Sequence, residues 1–252
     1  MRSKLPGPDT RREIGYQFAT IGLGPVLLAQ ALRVRRDIVR LDEPPGARSG
    51  SEGTGAPLRL LIAGDSAAAG VGAHTQEEAL SGQLVAQLRP SCRVHWKLVA
   101  QTGHTVRDAI GQLRALAPER FDVAVVSIGV NDATGRTRSA TWVERLAILI
   151  ELLKSKFGVA HILLSSLPPM HAFPALPQPL RWYLGMRARQ LNGMLQAIAE
   201  ADPGCEFLQI DFPFEQRYVA TDGFHPAAPA YSAWADIAAR AIRRRIGAQA
   251  LA

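Results

Sequence analysis

A serine in Gly64-Asp65-Ser66, a histidine at His225 and an aspartate at Asp222, three residues before it, are the side chains of this 252-residue chain best suited to acyl transfer. A serine hydroxyl becomes a nucleophile when a base takes its proton, and imidazole serves as that base when an acid fixes its orientation. The negative charge that then develops on the carbonyl oxygen needs donors aimed at it. Three are at hand: the backbone N–H of Ser66, the backbone N–H of Gly103 in Gln101-Thr102-Gly103-His104, and the side-chain amide of Asn131 in Gly129-Val130-Asn131-Asp132. A Gly-Asp-Ser turn or an Asn-Asp pair is by itself unspecific; their joint occurrence after successive strands is what carries weight.

Those residues must be positioned by strands. Leu58 to Ala63 is an apolar run that ends at Gly64, and the pattern predicts further strands at Val94 to Ala100, Val123 to Ile128, His161 to Ser166 and Phe207 to Ile210. Helical spacing is predicted over Gln76 to Leu88, Val106 to Leu116, Arg181 to Ala201 and Pro226 to Ile246. Another helix is expected from Thr141, where Thr141-Trp142-Val143-Glu144 has the form of a capping box. Strand and helix in alternation imply a mostly parallel α/β sheet covered by helices on both faces. Loops after parallel strands gather at one sheet edge, so Ser66, Gly103 and Asn131 are expected there together. Asp65 and Asp132 are read as hydrogen-bond acceptors that brace loops, and His74 and His104 as ordinary loop histidines near the mouth.

GDSAAAGVG at Gly64 to Gly72, Gly103, GVND at Gly129 to Asp132 and DGFH at Asp222 to His225 resemble, in order and in rough spacing, the four blocks of the SGNH, or GDSL, hydrolase family. The resemblance covers the chain from Leu58 to about Ile246. It implies a three-layer α/β/α sandwich with a flavodoxin-like central sheet. It also implies a serine esterase that needs no cofactor and no metal, with Ser66 as nucleophile, Asp222 and His225 completing the triad, and Ser66, Gly103 and Asn131 forming the oxyanion hole. The expected substrate is a small-molecule or lipid ester. A carbohydrate O-acetyl ester and a thioester are alternatives on the same site, and a non-catalytic, membrane-attached binding protein is the alternative outside enzymes.

Nearly half of the residues are hydrophobic, which suits one full globular core and excludes a disordered chain. The formal charge of +7 is concentrated at Arg11-Arg12, Arg33 to Arg40 and Arg240 to Arg245. No nucleic-acid motif accompanies it, so no nucleic-acid partner is expected. The glycine loop lacks the Lys-Ser/Thr pair of a P-loop. Cys92 and Cys205 belong to no CxxC pair or Cys/His cluster, which argues against a zinc site or a disulfide framework.

Residues 1–57 read as a separate amino-terminal segment and 58–252 as the hydrolase domain. Ile14 to Leu32 is apolar between basic flanks but contains Tyr16, Gln17, Pro25 and Gln30. It reads as a helix lying on a membrane surface or against the domain, or as an anchor of marginal length. Peripheral membrane contact is thus expected through residues 14–40 of an otherwise cytoplasmic protein. Ala29-Gln30-Ala31 is a small-x-small site, but the arginines that follow make a poor start for an exported chain. Leu41 to Pro57 reads as a Pro/Gly-rich linker. Ser165 to Tyr183 holds five prolines. Its Met170, Phe173, Leu176, Leu180 and Trp182 are candidate substrate-pocket residues, with packing of the loop onto the domain as the other reading.

Overall fold

The central strands are continuous apolar runs, at residues 60–63, 123–126 and 162–164, because helices cover both of their faces. The computed structural model describes residues 10–135, 137–211 and 215–250. Among these residues six strands form one sheet: β1 (Ser49–Glu52), β2 (Pro57–Gly64), β3 (Arg93–Ala100), β4 (Val123–Ser127), β5 (His161–Ser165) and β6 (Cys205–Leu208), in the order β1-β3-β2-β4-β5-β6. β1 is antiparallel to β3, and the remaining neighbours are parallel. Without β1 the order is that of a flavodoxin-like, doubly wound sheet.

The described helices are α1 (Thr10–Asp37), α2 (Ser66–Ala69), α3 (Leu80–Leu88), α4 (Val106–Ala115), α5 (Val130–Thr134), α6 (Ser139–Phe157), α7 (Leu180–Ala201) and α8 (Ala228–Ala250). Alternate residues of β2 separate the two faces. Leu60 and Ile62 pack with Leu84 of α3 and Tyr231 and Ile242 of α8. Leu61 and Ala63 share the other cluster with Ile110 of α4, Leu146 of α6 and Leu191 of α7. Each such side chain, fully buried, contributes roughly 1.5–3 kcal/mol. The result is the α/β/α sandwich expected from the alternation of elements.

Tertiary contacts move several boundaries. The segment 41–57 is not a linker, since β1 pairs with β3 from Ser49↔Lys97 to Glu52↔Val94. Its approach is fixed as well: Glu43 accepts hydrogen bonds from Thr102 N–H and Oγ1 at 2.7 and 2.9 Å. The helix expected from Gln76 begins at Leu80. Gln76 is instead a buried brace that donates to Ala69 O and accepts from Ser81 Oγ, both at 2.9 Å. α6 begins at Ser139, with no side-chain cap, so Thr141 lies inside it. The buried Arg187 holds that start, donating to Ser139 Oγ at 2.7 Å and to Thr137 O at 2.5 Å. β6 lies two residues earlier than its apolar pattern suggests.

Candidate active site

β2 delivers Ser66. A side chain at Gly64 would put Cβ 1.9 Å from the Ser127 carbonyl oxygen, so only glycine lets β2 and β4 approach there. Asp65 N–H then donates to Ser127 O at 3.0 Å. Asp65 Oδ1 accepts from Ala67 N–H at 3.1 Å and caps α2, which leaves Ser66 in the first turn of that helix. Burial pushes the Asp65 carboxyl up to about 7, against the pull of the Ala67 N–H and of His225. Its role is the loop-bracing one expected.

The turn before α8 brings in the histidine. His225 Nε2 is 3.0 Å from Ser66 Oγ, and His225 Nδ1 is 2.5 Å from Asp222 Oδ2. The second oxygen, Asp222 Oδ1, accepts from Phe224 N–H at 2.9 Å and His225 N–H at 3.0 Å. Burial alone would raise the Asp222 pKa. The hydrogen bonds from the His225 ring and from the two N–H groups outweigh it and hold the carboxyl below its ordinary value. Asp222 is therefore an anion whose two oxygens have separate tasks: one orients the ring and the other shapes the turn.

The two neighbouring strand ends carry the oxyanion candidates. Gly64 is in register with Ala100 of β3 and Ser127 of β4, so the loops after all three strands leave the sheet side by side. Gly103 has φ +84°, a conformation that favours glycine, and open space where a Cβ would stand. Asn131 Nδ2 donates one hydrogen to His104 O at 2.9 Å, which leaves its other N–H available. Asp132, fully buried, accepts from Val106 N–H at 2.9 Å and from Thr137 Oγ1 at 3.2 Å. The bonds Asn131 to His104 O and Val106 N–H to Asp132 thus lock the loop carrying Asn131 to the loop carrying Gly103. Gly103, Asn131, His74 and His104 are not among the residues that line the cleft beside Ser66.

That cleft is mainly apolar, walled by Ile128, Val130, Leu167, Pro168, Pro169, Phe173, Ile210, Val219, Phe224 and Trp234, with Ser66 and His225 exposed to it. Phe173 meets Phe224 edge to face at 4.8 Å between ring centroids. Of the five residues expected to line the pocket, Phe173 alone does so. Met170, Leu176 and Leu180 are buried in the core cluster with α7, and Trp182 is 44% exposed elsewhere on the surface. The physical reason is that the short turn at Met170–Ala172 folds back onto α7, where His171 stands against Gly185, so the apolar side chains of this segment mostly complete the core. Ile210, Val219, Phe224 and Trp234 are wall residues that sequence reasoning missed. Phe224, lying between Asp222 and His225 in the DGFH block, carried a usable signal; the others did not.

A serine, imidazole and carboxylate linked in series at the carboxyl edge of a parallel sheet define a hydrolase of the α/β/α class. Residues 62–233 match the GDSL-like lipase/acylhydrolase family, and the chain belongs to it. It is a serine ester hydrolase. Among its relatives is the GDSL-like esterase Rv1075c of Mycobacterium tuberculosis, 29% identical over 248 residues that span 89% of this chain and 78% of the relative. A carbohydrate esterase family 2 enzyme from Corynascus thermopiles (Myceliophthora fergusii) shares the fold with a TM-score of 0.59 at 17% identity, over 77% of this chain and 68% of that one. Phospholipase A1 from Streptomyces albidoflavus NA297 does so with a TM-score of 0.57 at 19% identity, over 73% of this chain and 98% of that one.

Proposed function

We propose that the protein hydrolyses carboxylic esters with an apolar acyl group, using Ser66, His225 and Asp222 as its catalytic triad. The observation that carries this reading is the unbroken series from Ser66 Oγ to His225 Nε2 at 3.0 Å and from His225 Nδ1 to Asp222 Oδ2 at 2.5 Å. Ser66 Oγ attacks the carbonyl carbon as His225 Nε2 takes its proton, and the Asp222 anion stabilises the imidazolium. The oxyanion accepts hydrogen bonds from the N–H groups of Ser66 and Gly103 and from the Asn131 amide. His225 then protonates the departing alcohol, and the acyl group stays on Ser66. In the second half His225 removes a proton from water, which attacks the acyl-enzyme and releases the acid.

The walls of the cleft favour an acyl or alkyl chain over a carbohydrate, since Phe173, Phe224, Trp234, Leu167 and Ile210 offer area and few hydrogen bonds. Short and medium acyl esters, aryl esters and lysophospholipids all have the required form. A series of p-nitrophenyl esters on wild type and Ser66→Ala, with fluorophosphonate labelling, tests the assignment. Wild type should be active and labelled, and Ser66→Ala neither. Labelling that persists in Ser66→Ala refutes Ser66 as the nucleophile.

A further inference from the structure

Six of the eight exposed large apolar side chains among the described residues lie between Phe18 and Val39. α1 has two unlike sides. One is docked: the Tyr16 ring stacks on Tyr183 at 4.8 Å, Thr20 Oγ1 is 2.8 Å from Tyr183 OH, and Leu27 is buried. Gln30 completes this side by accepting from Leu180 N–H at 3.0 Å and donating to Gln178 O at 2.6 Å. Phe18, Ile21, Leu28 and Leu32 form the opposite stripe, at helical spacing, and are 74%, 80%, 48% and 57% exposed. The stripe runs into Arg33, Arg35, Arg36 and Arg40, opposed within residues 33–40 by Asp37 alone.

We propose that this outward face of α1 binds the surface of an anionic phospholipid bilayer, its apolar stripe entering the headgroup boundary and its arginines meeting lipid phosphates. Charge decides between a bilayer and a second copy of the chain. Two copies of α1 laid together, parallel or antiparallel, bring like charge together, since Arg11 and Arg12 outnumber Glu13 at one end and Arg33, Arg35, Arg36 and Arg40 outnumber Asp37 at the other, whereas anionic lipid offers the opposite sign. The docked side decides between lying on the membrane and crossing it. Gly15–Asp37 has the length and hydropathy to span a bilayer. A spanning helix, however, would leave Tyr183, Leu180 and Gln178 and carry the Gln30 amide into hydrocarbon without its partners, whereas Thr20 would keep its bond to Tyr16 O. The last turns of α1, at Arg33 and Asp37, border a groove whose other wall includes Thr221 and Asp222, so the basic end of α1 lies beside the loop that carries Asp222. The inference extends the proposed function, on which only its activity control rests, by making esters presented at a lipid surface the substrates.

The test is flotation of the full chain with vesicles of phosphatidylcholine, alone or mixed with phosphatidylglycerol. Wild type should float with the mixed vesicles and be released by salt. Ile21→Glu/Leu28→Glu should reduce the bound fraction about tenfold or more while p-nitrophenyl butyrate turnover is unchanged. No flotation, flotation of the double variant equal to wild type, or retention through an alkaline carbonate wash overturns the proposal. A solution dimer that the double variant abolishes, without vesicle binding, overturns it in favour of a second copy. If wild type floats but hydrolyses no ester, the hydrolase assignment fails and the lipid-surface assignment stands.

A separate observation assigns a role to Glu43, which lies outside the matched residues. One of its oxygens accepts from both Thr102 N–H and Thr102 Oγ1, and the other accepts from Arg48 Nη1 at 2.8 Å. Arg48 also donates to Ala100 O, so both ends of the Ala100 to Thr102 turn are fixed immediately before Gly103. We infer that Glu43 is a positioning residue for the Gly103 oxyanion donor. Glu43→Ala should lower kcat about tenfold with KM unchanged, at a temperature well below its unfolding, and Glu43→Gln, which keeps the acceptor for Thr102 but turns a donor toward Arg48, should restore part of it. An unchanged kcat in Glu43→Ala, or Glu43→Gln no better than Glu43→Ala, overturns the inference. If Asn131→Ala also leaves kcat unchanged, the oxyanion assignment itself has failed.

Discussion

Replacing Asp222 by asparagine separates the orienting role of this residue from its structural one. Asp222 Oδ1 accepts two backbone N–H groups in the tight turn to His225, and an amide oxygen can do the same, so the asparagine oxygen is held at that position. Its NH2 then faces His225 Nδ1, where Oδ2 stood 2.5 Å away. Two donors cannot share that hydrogen bond. The ring responds by accepting at Nδ1 and carrying its proton on Nε2, the atom 3.0 Å from Ser66 Oγ, and a protonated Nε2 cannot take the serine proton. Loss of the anion also removes stabilisation of the imidazolium. At an effective dielectric of about 20, two unit charges about 4 Å apart interact by roughly 4 kcal/mol. With 1.36 kcal/mol per factor of ten, this amounts to about three decades in rate, and the wrong tautomer adds to it. We expect kcat/KM for p-nitrophenyl butyrate to fall about 10³- to 10⁴-fold. The melting temperature should stay close to wild type, because the turn keeps its acceptor. Activity within tenfold of wild type in a folded Asp222→Asn protein would refute the assignment of Asp222 as the acid that orients His225.

Asn131→Ala removes one of the proposed oxyanion donors and should lower kcat about 100-fold or more in steady-state kinetics, with KM little changed; an unaltered kcat takes Asn131 out of the mechanism. Asp65 is buried with its carboxyl near 7, above the ordinary 3.8, so the folded state holds this proton more tightly and stability from the group falls as pH rises from 3.8 through about 7. Asp65→Asn, which keeps an acceptor for Ala67 N–H, should therefore be more stable than wild type at pH 8, by up to about 4 kcal/mol, with the gap closing toward pH 4. A gap independent of pH in thermal melts would contradict this. Removing residues 1–57 strips β1 from the edge of β3 and Glu43 from Thr102, and should lower the melting temperature by about 5 °C or more relative to removal of 1–40; equal melting temperatures would make the segment 41–57 dispensable.

The juxtaposition of Ser66, Asp222 and His225 was legible because these residues sit in short, local features. Gly64-Asp65-Ser66 makes its own turn through the Asp65 cap, and Asp222-Gly223-Phe224-His225 makes another through Asp222 Oδ1, so each block carries its conformation within a few residues. The parallel sheet was legible from apolar runs covered on both faces. β1 was not, since Ser49-Gly50-Ser51-Glu52 has no apolar pattern and is a strand only because β3 offers it an edge. The start of α6 was misplaced for a similar reason, because Arg187, far away in sequence, fixes Ser139 and Thr137.

The placement of Ser66, Asp222 and His225 follows from residue type and from turns closed over three or four residues. Which apolar side chains line the cleft beside Ser66 was settled only by the packing of distant segments. Met170, Leu176 and Leu180 have the same chemistry as a pocket wall but were drawn into the core with α7, while Phe224, Ile210 and Trp234, from three separate segments, came together beside Ser66. Hydrophobic attraction has no direction, so an irregular, proline-rich stretch takes its inward face from whatever element packs against it, and no local pattern records that choice.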